Sequence, residues 1–294
     1  MSGKNRSKKD PQSTSYLQYD DEKMNLYSAW FCPYAQRAWM VLEHCSIPYN
    51  YIESLLLNNE SNGDHGYTKN PRLLEVNPKG LVPTIELSTE SMTELGLNME
   101  DLKDDERITI IDKAFVVKES IVCMEFIQSI SRLRIQNRSD IIPETFFVLD
   151  AKKLDEKVCS VFYKVLMMPS LDEQKSAYES FANGISEFIG EVKPDGFYKS
   201  ETPTIVDFTI MPWLLRLFVL NVYRPTLSMK DYIGAEKNYL LESYIERMKK
   251  LDAVQKTMWS DNNAMIEVYR TYAEGTATSK VAKAVRSGGN AHDV

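Results

Sequence analysis

The sequence changes character near its middle, and that change constrains the fold more than any other feature. Residues 24–130 alternate short apolar runs of strand type with stretches of helical periodicity, whereas from Glu144 to Ala273 every periodic stretch reads as helix. A chain of 294 residues is long enough for two ordinary domains. The reading is therefore a mixed α/β domain over 23–131 followed by an all-α domain over 143–273. The polar, arginine-rich stretch from Ser131 to Pro143 serves as the boundary. Residues 1–22, rich in Ser, Lys, Gln and Asp, read as a disordered tail, and 274–294 as a flexible one.

Within the first domain, strands are predicted over Met24 to Ala29, Tyr49 to Glu53, Leu81 to Leu87 and Ala114 to Val117. Helices are predicted after Cys32-Pro33, through Arg72 to Leu74, and through Ile121 to Ile127. Ala35, Ala38, Trp39 and Leu42 follow the i, i+3, i+4, i+7 spacing of a one-sided apolar helix. The order is β-α-β-α-β-β-α. Asn58 to Thr68 reads as a loop. The acidic segment 88–113 is an insertion between two strands that a tight hairpin could have joined. In the second domain, one long helix runs from Glu144 to about Met168, and another over Asp172 to Gly190. A third runs from Pro203 through Trp213 and Leu220, and shorter ones lie near Leu240 to Lys250 and Asn262 to Ala273.

Composition removes several classes of function. A net charge of −7 argues against a nucleic-acid surface, which needs clustered Lys and Arg. The most apolar stretch, Met211 to Val222, is interrupted by Arg216 and carries Pro212 and Asn221, so it reads as a buried helix rather than a membrane span. With no secretory h-region at the N-terminus, a soluble, cytoplasmic chain is expected. Cys32, Cys45, Cys123 and Cys159 lie far apart without a Cys-x-x-Cys pair, and the three histidines show no ligand spacing. Neither a disulfide scaffold nor a metal site is expected. A papain-like cysteine would need a histidine base, so an active thiol here must be activated by its backbone surroundings.

Three short constellations carry chemistry. Cys32 precedes Pro33 at a strand-to-helix junction, where free N–H groups and the helix dipole favour an anion. An unperturbed thiol is only about 3% thiolate at neutral pH, so such a position favours reactivity. A small buried residue is the alternative reading for it, and the preferred one for Cys45, Cys123 and Cys159. Val82-Pro83 opens a strand; a cis bond there would free the Val82 backbone to pair with an extended peptide. Glu119-Ser120 starts a helix and is either an ordinary cap or a cradle for an α-amino-acid end, with Ser120 donating and Glu119 accepting.

Taken together and in order, Phe31-Cys32-Pro33-Tyr34-Ala35-Gln36-Arg37, Asn77-Pro78-Lys79-Gly80-Leu81-Val82-Pro83 and Glu119-Ser120 resemble the thioredoxin-like domain of cytosolic glutathione transferases. The first of these is similar to the omega-like cysteine class and its lambda-class and fungal relatives. Thr204-Ile205-Val206-Asp207 resembles the helix-capping box of the family's helical domain, with Thr204 capping the helix and Asp207 reaching back. The resemblance spans roughly residues 24–273 and implies a fold: a thioredoxin-like α/β domain followed by an all-α domain. It implies glutathione as co-substrate, no metal, and a homodimer. Cys32 would form a mixed disulfide with glutathione between Phe31 and Pro33. Val82, beside a cis Pro83, would pair with the cysteinyl backbone. Glu119 and Ser120 would hold the γ-glutamyl end, and Lys69 the glycyl carboxylate. The implied activity is that of a thioltransferase or a dehydroascorbate-type reductase, with a detoxifying role. A glutathione-conjugating transferase is one alternative. A non-enzymatic glutathione-binding regulator, or a protein like the chloride intracellular channels, is the other. The acceptor pocket has no motif; Tyr34 and Trp213 are the aromatic candidates for it.

Overall fold

The computed structural model describes residues 24–57, 67–88, 91–92, 109–111, 114–134 and 145–291. The first half is a five-stranded sheet in the order β2-β1-β5-β7-β6. Its strands are β1 (Met24–Ser28), β2 (Tyr49–Glu53), β5 (Thr84–Ser88), β6 (Thr109–Ile111) and β7 (Ala114–Lys118). Strand β1 runs parallel to β2, with Leu26 opposite Tyr51, and antiparallel to β5, with Leu26 opposite Ile85. Helix α1 (Pro33–His44) makes the crossover between the parallel pair, and α2 (Pro71–Val76) and α3 (Ser120–Arg134) complete the unit. Its core is Leu26, Ile85 and Leu87 from the sheet, packed with Ala38 and Leu42 of α1 and Met124 and Ile127 of α3.

The helical half contains α4 (Thr145–Leu154), a π turn (Asp155–Cys159), α5 (Ser160–Met167), α6 (Leu171–Gly190), α7 (Ile205–Leu214) and α8 (Leu217–Tyr223). It continues through α9 (Met229–Lys249), α10 (Asp252–Thr257), α11 (Asn262–Ala273) and α12 (Lys280–Arg286). Phe162, Phe181, Phe208, Trp213 and Tyr244 fill its core. The Thr204 box forms as read: Thr204 N–H and Oγ1 both donate to Asp207 at 2.7 Å. Asp207 also accepts from the Tyr198 N–H and the Tyr244 hydroxyl, so one carboxylate ties three segments together. Ile205–Tyr223 is apolar and long enough in composition to cross a membrane, but 78% of it is buried inside the protein.

The predicted strands and helices are present, with local differences: the helix read near Leu240 to Lys250 begins at Met229 as α9, and α10 was not predicted. Tyr67 and Thr68, read as loop, belong to β4 (Tyr67–Lys69), which pairs antiparallel with β3 (Leu55–Leu57); 58–66 lie outside the described residues. Part of the acidic insertion forms β6 against β7, with Thr109 opposite Val116, while most of 88–113 lies outside the described residues. The helix read from Pro203 to Leu220 is two helices, because Arg216 takes a non-helical conformation at the start of α8. Residues 274–291, within the segment read as a flexible tail, are placed instead: Ser279 caps α12, and Ala282, Val285 and Ala291 are buried, while 292–294 lie outside the described residues. Alanine and valine at those positions carry little periodic signal, which is why the sequence reading stopped at Ala273. The predicted disordered tail 1–22 and most of the boundary stretch lie outside the described residues; α3 itself runs on to Arg134.

Candidate functional site

Cys32 is the N-cap of α1, in extended conformation, with Pro33 at the first helical position. Its N–H donates to Ala29 and its carbonyl accepts from Gln36, both at 3.0 Å, so the backbone around the sulfur is fixed. Two buried arginines hold this loop from below. Arg216 donates to the Phe31 carbonyl at 3.1 Å and to Gln36 Oε1 at 2.7 Å, and Gln36 Nε2 donates to the Thr257 carbonyl at 3.1 Å. Arg37 donates to the Thr209 carbonyl, to Ser120 Oγ and to Asp155 Oδ1, the last at 2.5 Å. Its guanidinium also lies over the Trp213 ring, 4.4 Å from the centroid. The helical half thus grips the thiol loop through side chains more than a hundred residues away.

A cavity of about 1100 Å³ opens over Cys32, and the residues expected to contact glutathione line it. Phe31, Cys32, Pro33, Lys69, Val82, Pro83, Glu119 and Ser120 all line it. The Val82-Pro83 peptide is cis, and Val82 sits outside the strand ladder, which begins at Thr84. Asn77 Nδ2 braces this loop by donating to the Leu81 carbonyl and to Thr84 Oγ1. Gly80 has a φ of +60°, and a Cβ at this position would stand 2.7 Å from the Lys69 side chain. Lys69 Nζ donates to the Lys79 carbonyl at 3.3 Å.

On the opposite wall, Glu119 is exposed and its φ of +68° lies in the left-handed region, unusual for a residue with a Cβ. Its carbonyl accepts from Cys123, so the strained residue is the cap of α3. Ser120 is buried to 9% exposure. Its oxygen accepts from Arg37 at 2.9 Å, which leaves the hydroxyl proton free to donate into the cavity.

The electrostatics of Cys32 differ from the sequence expectation. Burial pushes the thiol above its ordinary 9.0; the Ala35 and Tyr34 N–H groups and the Arg216 and Arg37 guanidiniums pull it down without overcoming burial. Activation by the backbone alone is therefore incomplete. Cys45 is also raised by burial and is half-buried rather than core. Cys123 and Cys159 are fully buried, and burial raises both far above the ordinary value. Of the four, Cys32 alone lines the cavity.

The acceptor side was not legible. Trp213 is fully buried beneath Arg37 and does not line the cavity, whereas Tyr34 does. Tyr67, Tyr163, Tyr269 and Tyr272 join it, drawn from β4, α5 and α11. Burial raises all five phenols, Tyr269 to about 12, and an ionised Cys32 raises each further, so all five line the cavity in protonated form. Phe31 stacks on Tyr67 with centroids 5.4 Å apart. Tyr269 and Tyr272 fall three residues apart on α11, the one trace of this cage in the sequence. No cluster of His, Cys, Asp and Glu able to hold a metal ion occurs among the described residues.

Comparison with known proteins agrees with this geometry. Residues 31–130 match the model of the family described as "Glutathione S-transferase, N-terminal domain". The chain is 26% identical over 261 residues to pyrimidodiazepine synthase of Drosophila melanogaster, covering 87% of this chain and 88% of the relative. It is 25% identical over 201 residues to glutathione S-transferase omega-1 of Mus musculus, covering 68% and 69%. Among solved structures, glutathione transferase Omega 3C from Trametes versicolor superposes with a TM-score of 0.58 at 22% identity, over 82% of this chain and 90% of that one.

Proposed function

We propose that this chain is a member of the glutathione transferase family and, from that premise, a glutathione-dependent thioltransferase or reductase acting through a mixed disulfide on Cys32. The observation that supports this reading most directly is that Cys32, and no other cysteine, opens into the cavity that also gathers the predicted glutathione contacts. Glu119 accepts from the γ-glutamyl ammonium, and Ser120, oriented by Arg37, donates to the adjacent carboxylate. Val82, beside the cis Pro83, pairs with the cysteinyl backbone, and Lys69 faces the glycyl carboxylate.

The reaction is a monothiol cycle, since Ala35 stands where a resolving cysteine would be. The Cys32 thiolate attacks the glutathionyl sulfur of a mixed disulfide. The old S–S bond breaks, a Cys32–glutathione disulfide forms, and the substrate leaves as a thiolate that takes up a proton. A second glutathione, as thiolate, then attacks the bound glutathionyl sulfur, releasing oxidised glutathione and regenerating the Cys32 thiolate. The net exchange reduces the substrate sulfur to a thiol at the expense of one glutathione thiol, and the substrate's own glutathionyl group leaves as the other half of oxidised glutathione. The N–H groups of Tyr34 and Ala35, with Arg216 and Arg37, stabilise the thiolate each time it leaves. The protonated phenols of Tyr163, Tyr269 and Tyr272 provide donors for an acceptor seated above the sulfur.

Glutathione-dependent reduction of the mixed disulfide of glutathione and 2-mercaptoethanol tests the proposal. The wild-type protein and Cys45→Ser should turn it over, and Cys32→Ser should not. Activity retained by Cys32→Ser would assign the chemistry to another thiol and overturn the proposal.

A further inference from the structure

The C-terminal segment forms part of the wall of the Cys32 cavity: Ser279, Lys280, Val281 and Ala291 line it. The segment is fastened at both ends. Ser279 Oγ accepts from the Ala282 N–H at 3.1 Å and lies 2.7 Å from the Tyr272 hydroxyl. The Ala291 N–H donates to Ser160 Oγ of α5 at 3.3 Å, and Arg286 donates to the carbonyls of Gly275 and Ala277. This fastening fixes where the first residue of α12 points. Lys280 Nζ donates to the Lys79 carbonyl at 3.2 Å, and Lys69 Nζ donates to the same oxygen at 3.3 Å.

Two ammonium groups from opposite ends of the sequence therefore converge on one neutral oxygen at the cavity wall, within two hydrogen-bond lengths of each other. The shared peptide carbonyl draws the two ammoniums to one point of the wall. A ligand carboxylate placed beside that point would accept charge-assisted bonds from each. The opposite wall, at Glu119 and Ser120, suits the amino-acid end of the ligand, so the remaining carboxylate of the tripeptide falls to the lysine side.

We propose that Lys280 binds the glycyl carboxylate of glutathione together with Lys69, so that the C-terminal helix sets a requirement for a free glycyl carboxylate. The inference rests on the glutathione reading above and adds a binding residue from a segment outside the α/β unit.

Calorimetric titration of the wild type, Lys280→Gln and Lys280→Arg, with glutathione and with its glycine monoethyl ester, tests it. Lys280→Gln should weaken glutathione about tenfold, the equivalent of ~1.4 kcal/mol, and leave ester binding unchanged; Lys280→Arg should bind glutathione nearly as the wild type does. Thermal melting should not distinguish the three. Unchanged glutathione affinity in Lys280→Gln would overturn the inference while leaving the glutathione site intact. Equal weakening of glutathione and ester would also overturn it, assigning Lys280 a role in shaping the wall instead. Absence of wild-type binding to either ligand would overturn both the inference and the reading beneath it.

Discussion

The Cys32 thiol meets two backbone N–H groups and, at longer range, two guanidiniums, yet burial leaves its pKa above the ordinary 9.0 in the unliganded protein. The thiolate is the nucleophile, and below the pKa its fraction rises tenfold per pH unit. Alkylation of Cys32 by iodoacetamide, followed by peptide mapping, should therefore accelerate steadily from pH 6 to pH 9 without a plateau. A plateau at pH 6 would show that the N–H groups and arginines outweigh burial. The position of Cys32 before Pro33 was readable in the sequence, because a strand-to-helix junction places those N–H groups by local geometry alone. The depth of burial was not, since it comes from tyrosines on β4, α5 and α11. The same distinction applies to Arg37. It was legible as part of a motif, but its partners Ser120, Asp155 and Thr209 lie far along the chain. Both ends of the Arg37–Asp155 pair are buried, with side-chain exposures of 0% and 8%. Asp155→Ala should cost about 3–5 kcal/mol in urea unfolding, the usual effect of leaving a buried charge unpaired. A loss below ~1 kcal/mol would mean that the π turn does not hold this arginine.

Among the elements, those fixed by local chemistry were legible and those fixed by distant packing were not. Tyr49–Glu53 and Asn262–Ala273 were read with their observed bounds, and the Thr204 box forms as expected, because propensity, period and capping agree within each. Helices α10 and α12 were missed. Each is short, and each is held by contacts from outside itself: Gln36 on the Thr257 carbonyl for α10, Ser160 on Ala291 for the end of the α12 segment. The turn before Val82 offers a test of a legible element. Gly80 combines a φ of +60° with close approach to Lys69 and Leu74. Gly80→Ala should destabilise the protein by about 1–2 kcal/mol through the left-handed backbone, and should weaken glutathione binding by displacing Lys69. Thermal melting and calorimetric titration read the two effects separately. Full stability with unaltered binding would show that the turn relaxes without cost.

Across the molecule, α1 is the shared element: its first turn carries the thiol, and its Gln36 and Arg37 join the sheet half to the helical half. The family resemblance made this two-part plan legible, since the motifs mark the sheet-side half of the cavity. The helical side, with its tyrosines and Lys280, follows no motif and appears only when the chain is folded. A half-buried carboxyl group couples the fold to pH. Glu53, which accepts from the Trp30 N–H and the Tyr51 hydroxyl, has its pKa raised by burial from 4.5 to about 7. Below pH 4.5 the carboxyl is protonated in both folded and unfolded chains. Between 4.5 and about 7 the unfolded chain loses the proton first, so this group lowers stability as pH rises, by up to about 3 kcal/mol. Glu53→Gln should remove that slope from unfolding curves measured between pH 4.5 and 7. An unchanged slope would assign it to other groups. The central claim, that Cys32 is the residue on which glutathione is carried, is tested most directly by intact-mass measurement after incubation with oxidised glutathione. The account predicts one glutathionyl adduct, mapped to Cys32, reversed by excess glutathione and absent in Cys32→Ala. An adduct that persists in Cys32→Ala, or a wild-type protein that forms none, would contradict it.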